Sequence, residues 1–128
     1  KVIGLENDKD WFNEINKIKP ENVDLSLFNK DNIDFLLKEK LNEKPDYIMV
    51  DNNPTYISRF DIVKLVHFNK KNDCIILLDN GTWNKEAYFF LKEKYYCMDF
   101  PGTNKHNENT VTSIFFTNTN SKYIYGEE

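Results

Sequence analysis

The sequence predicts an α/β fold in which crossover helices join the strands of a mostly parallel sheet. Short apolar runs rich in β-formers alternate along the chain with segments whose apolar residues recur at helical spacing. No internal repeat, low-complexity segment or linker interrupts this alternation. A chain of 128 residues has room for one hydrophobic core. We therefore expect one domain, or part of one.

Three strands and two helices are predicted in the first half of the chain. The strands cover residues 2–5, 23–28 and 47–50, and the last is a continuous apolar run, typical of a strand buried on both faces. Asp8 is suited to cap the first helix, which Pro20 ends. Asp31 is suited to cap the second, which ends before Pro45. The apolar positions are Trp11, Ile15 and Ile18 in the first helix and Ile33, Leu36, Leu37 and Leu41 in the second.

The second half begins with a turn at residues 52–54, after which two helices and three strands are predicted. The strands cover residues 74–78, 95–100 and 111–117, with a polar loop at 101–109 between the last two. From Asn118 onward the chain is polar with little periodicity, which predicts a mobile tail. The apolar positions are Ile57, Phe60, Val63 and Val66 in the third helix and Trp83, Ala87, Phe90 and Leu91 in the fourth.

The composition favours a globular protein and excludes some partners. Hydrophobic residues make up 40% of the chain and aromatic residues 15%, enough apolar surface to offset chain entropy. The net charge is -4 and the basic residues are scattered, so we expect no nucleic-acid partner. No run of about 18 apolar residues occurs, so we expect no membrane partner. Cys74 and Cys97 lie in strand-like runs, and we expect them to be reduced in a cytoplasmic protein.

Acidic and amide side chains follow four of the predicted strands. In open sheets of this type, ligands bind beyond the carboxyl ends of the strands, so the candidate site lies at that edge. The four groups are Glu6-Asn7-Asp8, Asn29-Lys30-Asp31, Asp51-Asn52-Asn53 and Asp79-Asn80-Gly81.

Glu6 directly follows the first strand. A carboxylate in this position can accept two hydrogen bonds from the hydroxyls of a ribose. Alternatively, Glu6, Asn7 and Asp8 only cap the helix that follows. The sequence leaves both interpretations of Glu6 open.

Asp51, Asp79 and Asn80 form a second candidate set. Their side chains offer hard oxygen ligands of the kind that Mg²⁺ prefers. One strand-helix-strand unit separates Asp51 from Asp79, so both can face the same cleft. The alternative is that each residue caps the following helix. His67 and His106 are weaker candidates, as proton shuttles.

The ordered series of segments resembles class I S-adenosylmethionine-dependent methyltransferases. KVIGLENDKDWF at residues 1–12 is similar to their second strand and the helix after it, PDYIMVD at 45–51 to their fourth strand, and CIILLDNG at 74–81 to their fifth. MDFPG at 98–102 and TSIFF at 112–116 look like the terminal hairpin of small bacterial members. The resemblance extends to about Thr117.

This resemblance implies a Rossmann-like three-layer sandwich with a mostly parallel sheet, an antiparallel last strand and no first strand. Residues 1–117 would be a partial methyltransferase domain and residues 118–128 a polar carboxy-terminal tail. The family's glycine-rich first strand and loop have no counterpart here, and the absent strand would lie between the strands ending at Glu6 and Asp51. We therefore expect a fragment that is inactive by itself and binds the cofactor weakly.

The resemblance also implies an activity, the transfer of a methyl group from S-adenosylmethionine to an oxygen of a small molecule or sugar. Glu6 would bind the cofactor ribose. Asp31 would lie near the adenine, with Asn29 as the alternative adenine contact.

Metal-dependent O-methyltransferases of the catechol and macrolide-sugar types suggest a role for the second set. They place an Asp after the fourth strand and an Asp-Asn or Asp-Asp pair after the fifth. Asp51, Asp79 and Asn80 fit that pattern, which implies that they bind Mg²⁺ or the acceptor.

A non-catalytic binding or interaction module with the same fold is the rival interpretation. The Lys or Asp that often follows the family's first metal ligand, as a base for the acceptor hydroxyl, is replaced here by Asn53 or Pro54. Asparagine cannot take a proton at neutral pH. The missing base and the missing glycine-rich loop both favour the module.

Overall fold

The computed structural model describes residues 1–55, 57–121, 124 and 126. Strands and helices alternate as the sequence predicts, which confirms the α/β class. In order, the elements are β1 (Val2–Glu6), α1 (Lys9–Ile18), β2 (Val23–Leu27), α2 (Ile33–Leu41), β3 (Tyr47–Val50), α3 (Arg59–Asn69), β4 (Ile75–Leu78), α4 (Lys85–Lys92), β5 (Tyr96–Thr103) and β6 (Asn109–Phe116). In these residues no helix combines the length and apolar character needed to cross a membrane.

The strands form two sheets that lie edge to edge on either side of a cleft. One is the parallel pair β1-β2, and the other has the order β3-β4-β6-β5. β3 and β4 are parallel, whereas β6 is antiparallel to both of its neighbours, so the predicted antiparallel last strand is confirmed. The edges of β1 and β3 line the cleft between the sheets. Across the molecule the strands therefore run in the order β2, β1, cleft, β3, β4, β6, β5.

Two contacts across the cleft show that β1 and β3 point the same way. Near their beginnings, Lys1 Nζ pairs with Glu43 Oε1 at 2.6 Å. Beyond their ends, Asn7 Nδ2 donates to the carbonyl of Asn53 at 2.8 Å. The four parallel strands therefore present their carboxyl ends at one edge of the molecule.

The direction of the crossovers explains why helices lie on both faces of the strands, which gives three layers. Parallel strands are joined by right-handed crossovers, so helices on connections that move in opposite directions lie on opposite faces. The β1-α1-β2 connection moves away from the cleft in one direction, and β3-α3-β4 in the other. α2 contacts α3, and α3 contacts α4, whereas the contacts of α1 are with β1 and β2.

The hydrophobic core lies between the larger sheet and the layer formed by α2, α3 and α4. These three helices and the strands beneath them contribute its buried side chains, whereas α1 has none. The most deeply buried large residues include Leu41, Val63, Val66, Ile76, Leu78, Leu91 and Phe115.

Among the described residues, no strand pairs with the edge of β3 that faces the cleft. The carbonyls of Asp46 and Val50 accept hydrogen bonds from the β4 side, at 2.9 and 3.3 Å. Because peptide groups alternate in direction along a strand, those of Tyr47 and Met49 point into the cleft.

β1 has the same arrangement on the other wall. The amide of Val2 donates toward β2 at 3.0 Å, and the carbonyl of Glu6 accepts from that side at 2.9 Å. The peptide groups of Ile3 and Leu5 therefore point into the cleft. The predicted gap in the sheet, between the strands that end at Glu6 and Asp51, is present.

Several local predictions are wrong. Tyr47 and Met49 are each 61% exposed, so β3 is buried on only one face. The reason is that no described helix covers the other face. Residues 101–103 continue β5 instead of belonging to a loop, because they pair with β6. Trp83 lies in a turn before α4 and is exposed.

The first residues of the predicted tail form a turn at the end of β6. Residues 118–121 form a turn, and Asn120 is 5% exposed. Its side-chain Oδ1 accepts a hydrogen bond from the amide of Thr117 at 2.8 Å, which ties the turn to the end of β6. The rest of the predicted tail lies mostly outside the described residues.

The unpaired edges predict low stability for the 128-residue chain. Strand edges beside a core need hydrogen-bond partners that these two lack. We expect melting, followed by circular dichroism, below the range of about 45–65 °C that is usual for mesophilic domains. In hydrogen exchange, the amides of Ile3, Leu5, Tyr47 and Met49 should exchange faster than those of β4, which is paired on both sides. A cooperative transition above that range, or equal protection of both sets, would contradict this expectation.

Candidate functional site

The cleft between β1 and β3 is the candidate site. The strand order reverses there, and ligands of open α/β sheets bind at such a switch point beyond the carboxyl ends of the strands. The cavity has a volume of about 390 Å³, within the range of about 300–1,000 Å³ that is usual for small-molecule sites. Its walls are mainly apolar, and Glu6, Asp51 and Asn52 line its carboxyl-end rim.

Amide side chains at this rim have unused hydrogen-bonding capacity. Asn7 and Asn52 donate to backbone carbonyls through their Nδ2 atoms. Their Oδ1 atoms are buried and have no donor among the described residues. Buried polar atoms are nearly always hydrogen-bonded in folded proteins, so both oxygens are candidates for a donor supplied by a ligand or by water.

One carboxylate oxygen of Glu6 is hydrogen-bonded within the protein, and the other has no donor among the described residues. Oε1 accepts hydrogen bonds from the amides of Asn7 at 3.0 Å and Asp8 at 2.9 Å. Asp8 caps α1, as predicted, by accepting from the amides of Asp10 and Trp11. No described residue donates to Oε2 of Glu6. Glu6 therefore supports the start of α1 and still has an acceptor at the cleft.

Asn29 and Asp31 lie beyond the end of β2 and outside the cavity lining. Asn29 Oδ1 accepts from the amides of Asp31 at 2.9 Å and Asn32 at 3.0 Å. The predicted capping of α2 by Asp31 is therefore wrong, because Asn29 provides the oxygen for these amides and Asn32 is the N-cap residue. The roles of Asn29 and Asp31 as cofactor contacts stay predictions.

A buried arginine joins the ends of β3 and β4. Arg59, the first residue of α3, donates from Nε to the carbonyl of Asn52 at 3.0 Å and from Nη1 to the carbonyl of Asp79 at 2.8 Å. Its Nη2 donates to Asp51 Oδ1 at 3.0 Å. The Arg59 side chain is 9% exposed and that of Asp51 is 51% exposed, so this ion pair is half sheltered from solvent.

Asp79 and Asn80 form a tight turn after β4. Asp79 Oδ1 accepts from Thr112 Oγ1, and its Oδ2 accepts from Asn80 Nδ2, both at 3.0 Å. Asn80 has φ of +53°, in the left-handed region that asparagine tolerates better than most residues. Both carboxylate oxygens of Asp79 are therefore already hydrogen-bonded within the protein.

The charges of Asp51, Arg59 and Asp79 interact. Burial is the main influence that raises the pKa of Asp51. Arg59 opposes this rise, and the neighbouring carboxylate of Asp79 adds to it. The structure therefore brings Asp51, Asp79 and Asn80 together, as the sequence predicts, but with a guanidinium among them.

The predicted magnesium site stays a prediction, and its donor atoms fit the ion poorly. Mg²⁺ requires near-octahedral oxygen ligands at about 2.1 Å. Asp51 Oδ1 is paired with Arg59, and both oxygens of Asp79 accept from protein donors. Among the described residues, no three His, Cys, Asp or Glu side chains are grouped as a metal site would need.

Neither histidine lines the cleft. His67 is in the last turn of α3, roughly 12 Å along the helix from Arg59. Its Nδ1 is 2.7 Å from the hydroxyl of Tyr95, and burial, helped by nearby lysines, lowers its pKa. His106 lies in the β5-β6 connection, where its amide donates to Asn104.

Sequence reasoning missed Arg59, Thr112 and the amide of Asn7. A signal for Arg59 was available, since it is the only arginine among 17 basic residues. Thr112 gave no such signal, because only the antiparallel pairing of β6 with β4 brings it to Asp79.

Comparison with known proteins identifies the fold. No protein-family model and no curated protein matches the sequence. Among solved structures, an O-methyltransferase from Bacillus cereus in complex with SAH is similar, with a TM-score of 0.61 and 9% identity over 90% of this chain and 62% of that one. A release factor-specific protein-(glutamine-N5) methyltransferase from Alicyclobacillus acidocaldarius has a TM-score of 0.50 and 10% identity, over 91% of this chain and 79% of that one.

The chain therefore spans less than two thirds of the length of the first of these structures. At such low identity, the likeness establishes the fold alone. The strand order, the position of the cleft and both structural neighbours agree on which fold it is. This chain has the Rossmann-like fold of class I S-adenosylmethionine-dependent methyltransferases.

Proposed function

We propose that the protein containing this chain transfers a methyl group from S-adenosylmethionine to an oxygen of a small molecule or sugar. The observation that carries the proposal is the free carboxylate oxygen of Glu6 above an apolar cleft at the switch point of a methyltransferase fold. The SAH complex of the Bacillus cereus O-methyltransferase supports the same cofactor class.

The residues on the β1 side of the cleft fit a nucleoside. Glu6 Oε2 accepts a ribose hydroxyl, while its Oε1 is fixed by the two amides that begin the loop into α1. Asp31, or alternatively Asn29, contacts the adenine, since both lie at the adjacent strand end. The apolar side chains of Phe28 and Leu37 line the same cavity.

The residues on the β3 side face the acceptor. The cofactor supplies an electrophilic methyl group, and in such displacements much of the rate acceleration comes from holding the reacting groups in a near-attack geometry. Asp51 is suited to orient an acceptor hydroxyl, because Arg59 holds one of its oxygens and no described residue donates to the other. The carbonyl of Asp79 helps to hold Arg59 in place beside Asp51.

We expect S-adenosylmethionine to bind the complete gene product that contains these residues. Glu6→Ala should raise the Kd by roughly 5- to 150-fold, because a charged acceptor of ribose hydroxyls is lost, equivalent to about 1–3 kcal/mol. Isothermal titration calorimetry measures this. Glu6→Gln should also weaken binding, although it keeps an oxygen for the loop amides.

The matched control for that experiment is Glu14→Gln, on the exposed surface of α1. It removes the same charge from the same region and should leave the Kd unchanged. Complete absence of binding to the unmodified gene product would overturn the cofactor assignment. Unchanged affinity in both Glu6 variants would remove that residue from the site.

Transfer of a labelled methyl group to panels of phenols, catechols and sugars should yield methyl ethers. Asp51→Asn should lower kcat/KM for the acceptor by roughly 10- to 100-fold, because it weakens a hydrogen bond that orients the hydroxyl. The Kd of the cofactor should stay unchanged. Asp46→Asn, an exposed aspartate at the opposite end of β3, is the control and should retain full activity.

The non-catalytic module is the second candidate function. The absence of a basic side chain directly after Asp51 favours it, since Asn53 and Pro54 cannot accept a proton there. Cofactor binding without methyl transfer to any acceptor, including proteins, would support the module. Methyl transfer that depends on Asp51 would exclude it.

A further inference from the structure

We infer that Arg59 is a built-in cation of the acceptor side of the cleft, which takes the place of a divalent metal ion and makes the site independent of metal. The inference deepens the proposed function. Its tests below measure metal binding and folding, so they can fail or succeed independently of methyl transfer.

The guanidinium connects the acceptor-side strand ends as a bound cation would. It reaches two backbone carbonyls, of Asn52 and Asp79, and one carboxylate, of Asp51, at distances of 2.8–3.0 Å. These acceptors come from the residues that follow β3 and β4. Without this positive charge, one carboxylate and two carbonyls would point oxygen atoms toward the same place, with the carboxylate of Asp79 close by.

A lysine could not replace these contacts. The three acceptors are bound by three different nitrogens of one planar group, whereas an ammonium is a compact point charge at the end of a flexible chain. The sequence uses lysine at every other basic position and arginine only here. The side chain is also fixed by its place in the first turn of α3, whose N-cap is Ser58.

Competition with a metal ion follows from charge and from donor atoms. A Mg²⁺ ion ligated by Asp51 would either lie beside the guanidinium or have to displace it, and like charges repel strongly in a partly buried site. Asp79 would also have to release Thr112 and Asn80, because both of its oxygens accept from them. Arg59 therefore neutralises Asp51, and both oxygens of Asp79 are hydrogen-bonded, without a metal ion.

The first test titrates MgCl₂ and MnCl₂ into the complete gene product by calorimetry and measures melting with and without EDTA. We expect no saturable binding at up to millimolar concentration and an unchanged Tm. Stoichiometric binding at or below millimolar Kd that is lost in Asp51→Asn would overturn the inference. This test needs no variant of Arg59 and therefore does not depend on whether such a variant folds.

The second test removes the cation. Arg59→Met should lower Tm by about 10 °C, because it leaves a sheltered carboxylate and two carbonyls without their partner. MgCl₂ should recover part of the lost Tm, because the oxygens that Arg59 contacted can then bind an external cation. A merely structural role for Arg59 would give the same loss without a response to MgCl₂, and that result would overturn the inference.

Two control variants separate charge from general effects. Lys64→Met removes a basic side chain from the exposed surface of α3, where it pairs with Asp61, and should cause neither the loss nor the magnesium response. Arg59→Lys keeps the positive charge but loses the planar fork. It should lower Tm without a magnesium response, and a response equal to that of Arg59→Met would show that charge is not what excludes the ion.

Discussion

Right-handed crossovers, acting on a strand order that changes direction at one point, arrange nearly everything in this structure. They place α1 on one face and the other three helices on the opposite face, so the core forms on the side where the three helices lie. At that point β1 and β3 lie on opposite sides of the gap, and their outward peptide groups face the cleft without pairing with each other. The same separation gives the cavity its apolar walls and gathers the polar residues that follow the strands at one rim.

That rim divides into two sides with different chemistry. On the β1 side, Glu6 has one carboxylate oxygen fixed by backbone amides, and no described residue donates to the other. On the β3 side, the carboxylates of Asp51 and Asp79 are already matched by Arg59, Thr112 and an amide. The β1 side therefore keeps an unused acceptor in Glu6, whereas most acceptors on the β3 side are hydrogen-bonded within the protein.

Support of a helix start does not use up the acceptor capacity of Glu6, although the sequence suggests capping and ligand binding as alternatives. Glu6 holds two amides and still has an oxygen without a described donor, because a carboxylate has enough acceptor capacity for both. Asn29 shows the opposite case, since its side-chain oxygen serves two amides of the turn before α2. Its neighbour Asp31, expected as a helix cap, is left available instead.

The sequence by itself determined the order and type of the elements, the antiparallel last strand, the gap in the sheet and the edge where polar residues gather. The elements and the polar edge follow from periodicity and connection rules, which act over short stretches of chain. The antiparallel last strand and the gap were implied by the resemblance to the methyltransferase family. Tertiary structure alone decided the exposed face of β3, the partner of Asn120 and the position of Arg59 between Asp51 and Asp79. These depend on which distant segments meet, and a side chain that reaches across strand ends leaves no periodic signal in the sequence.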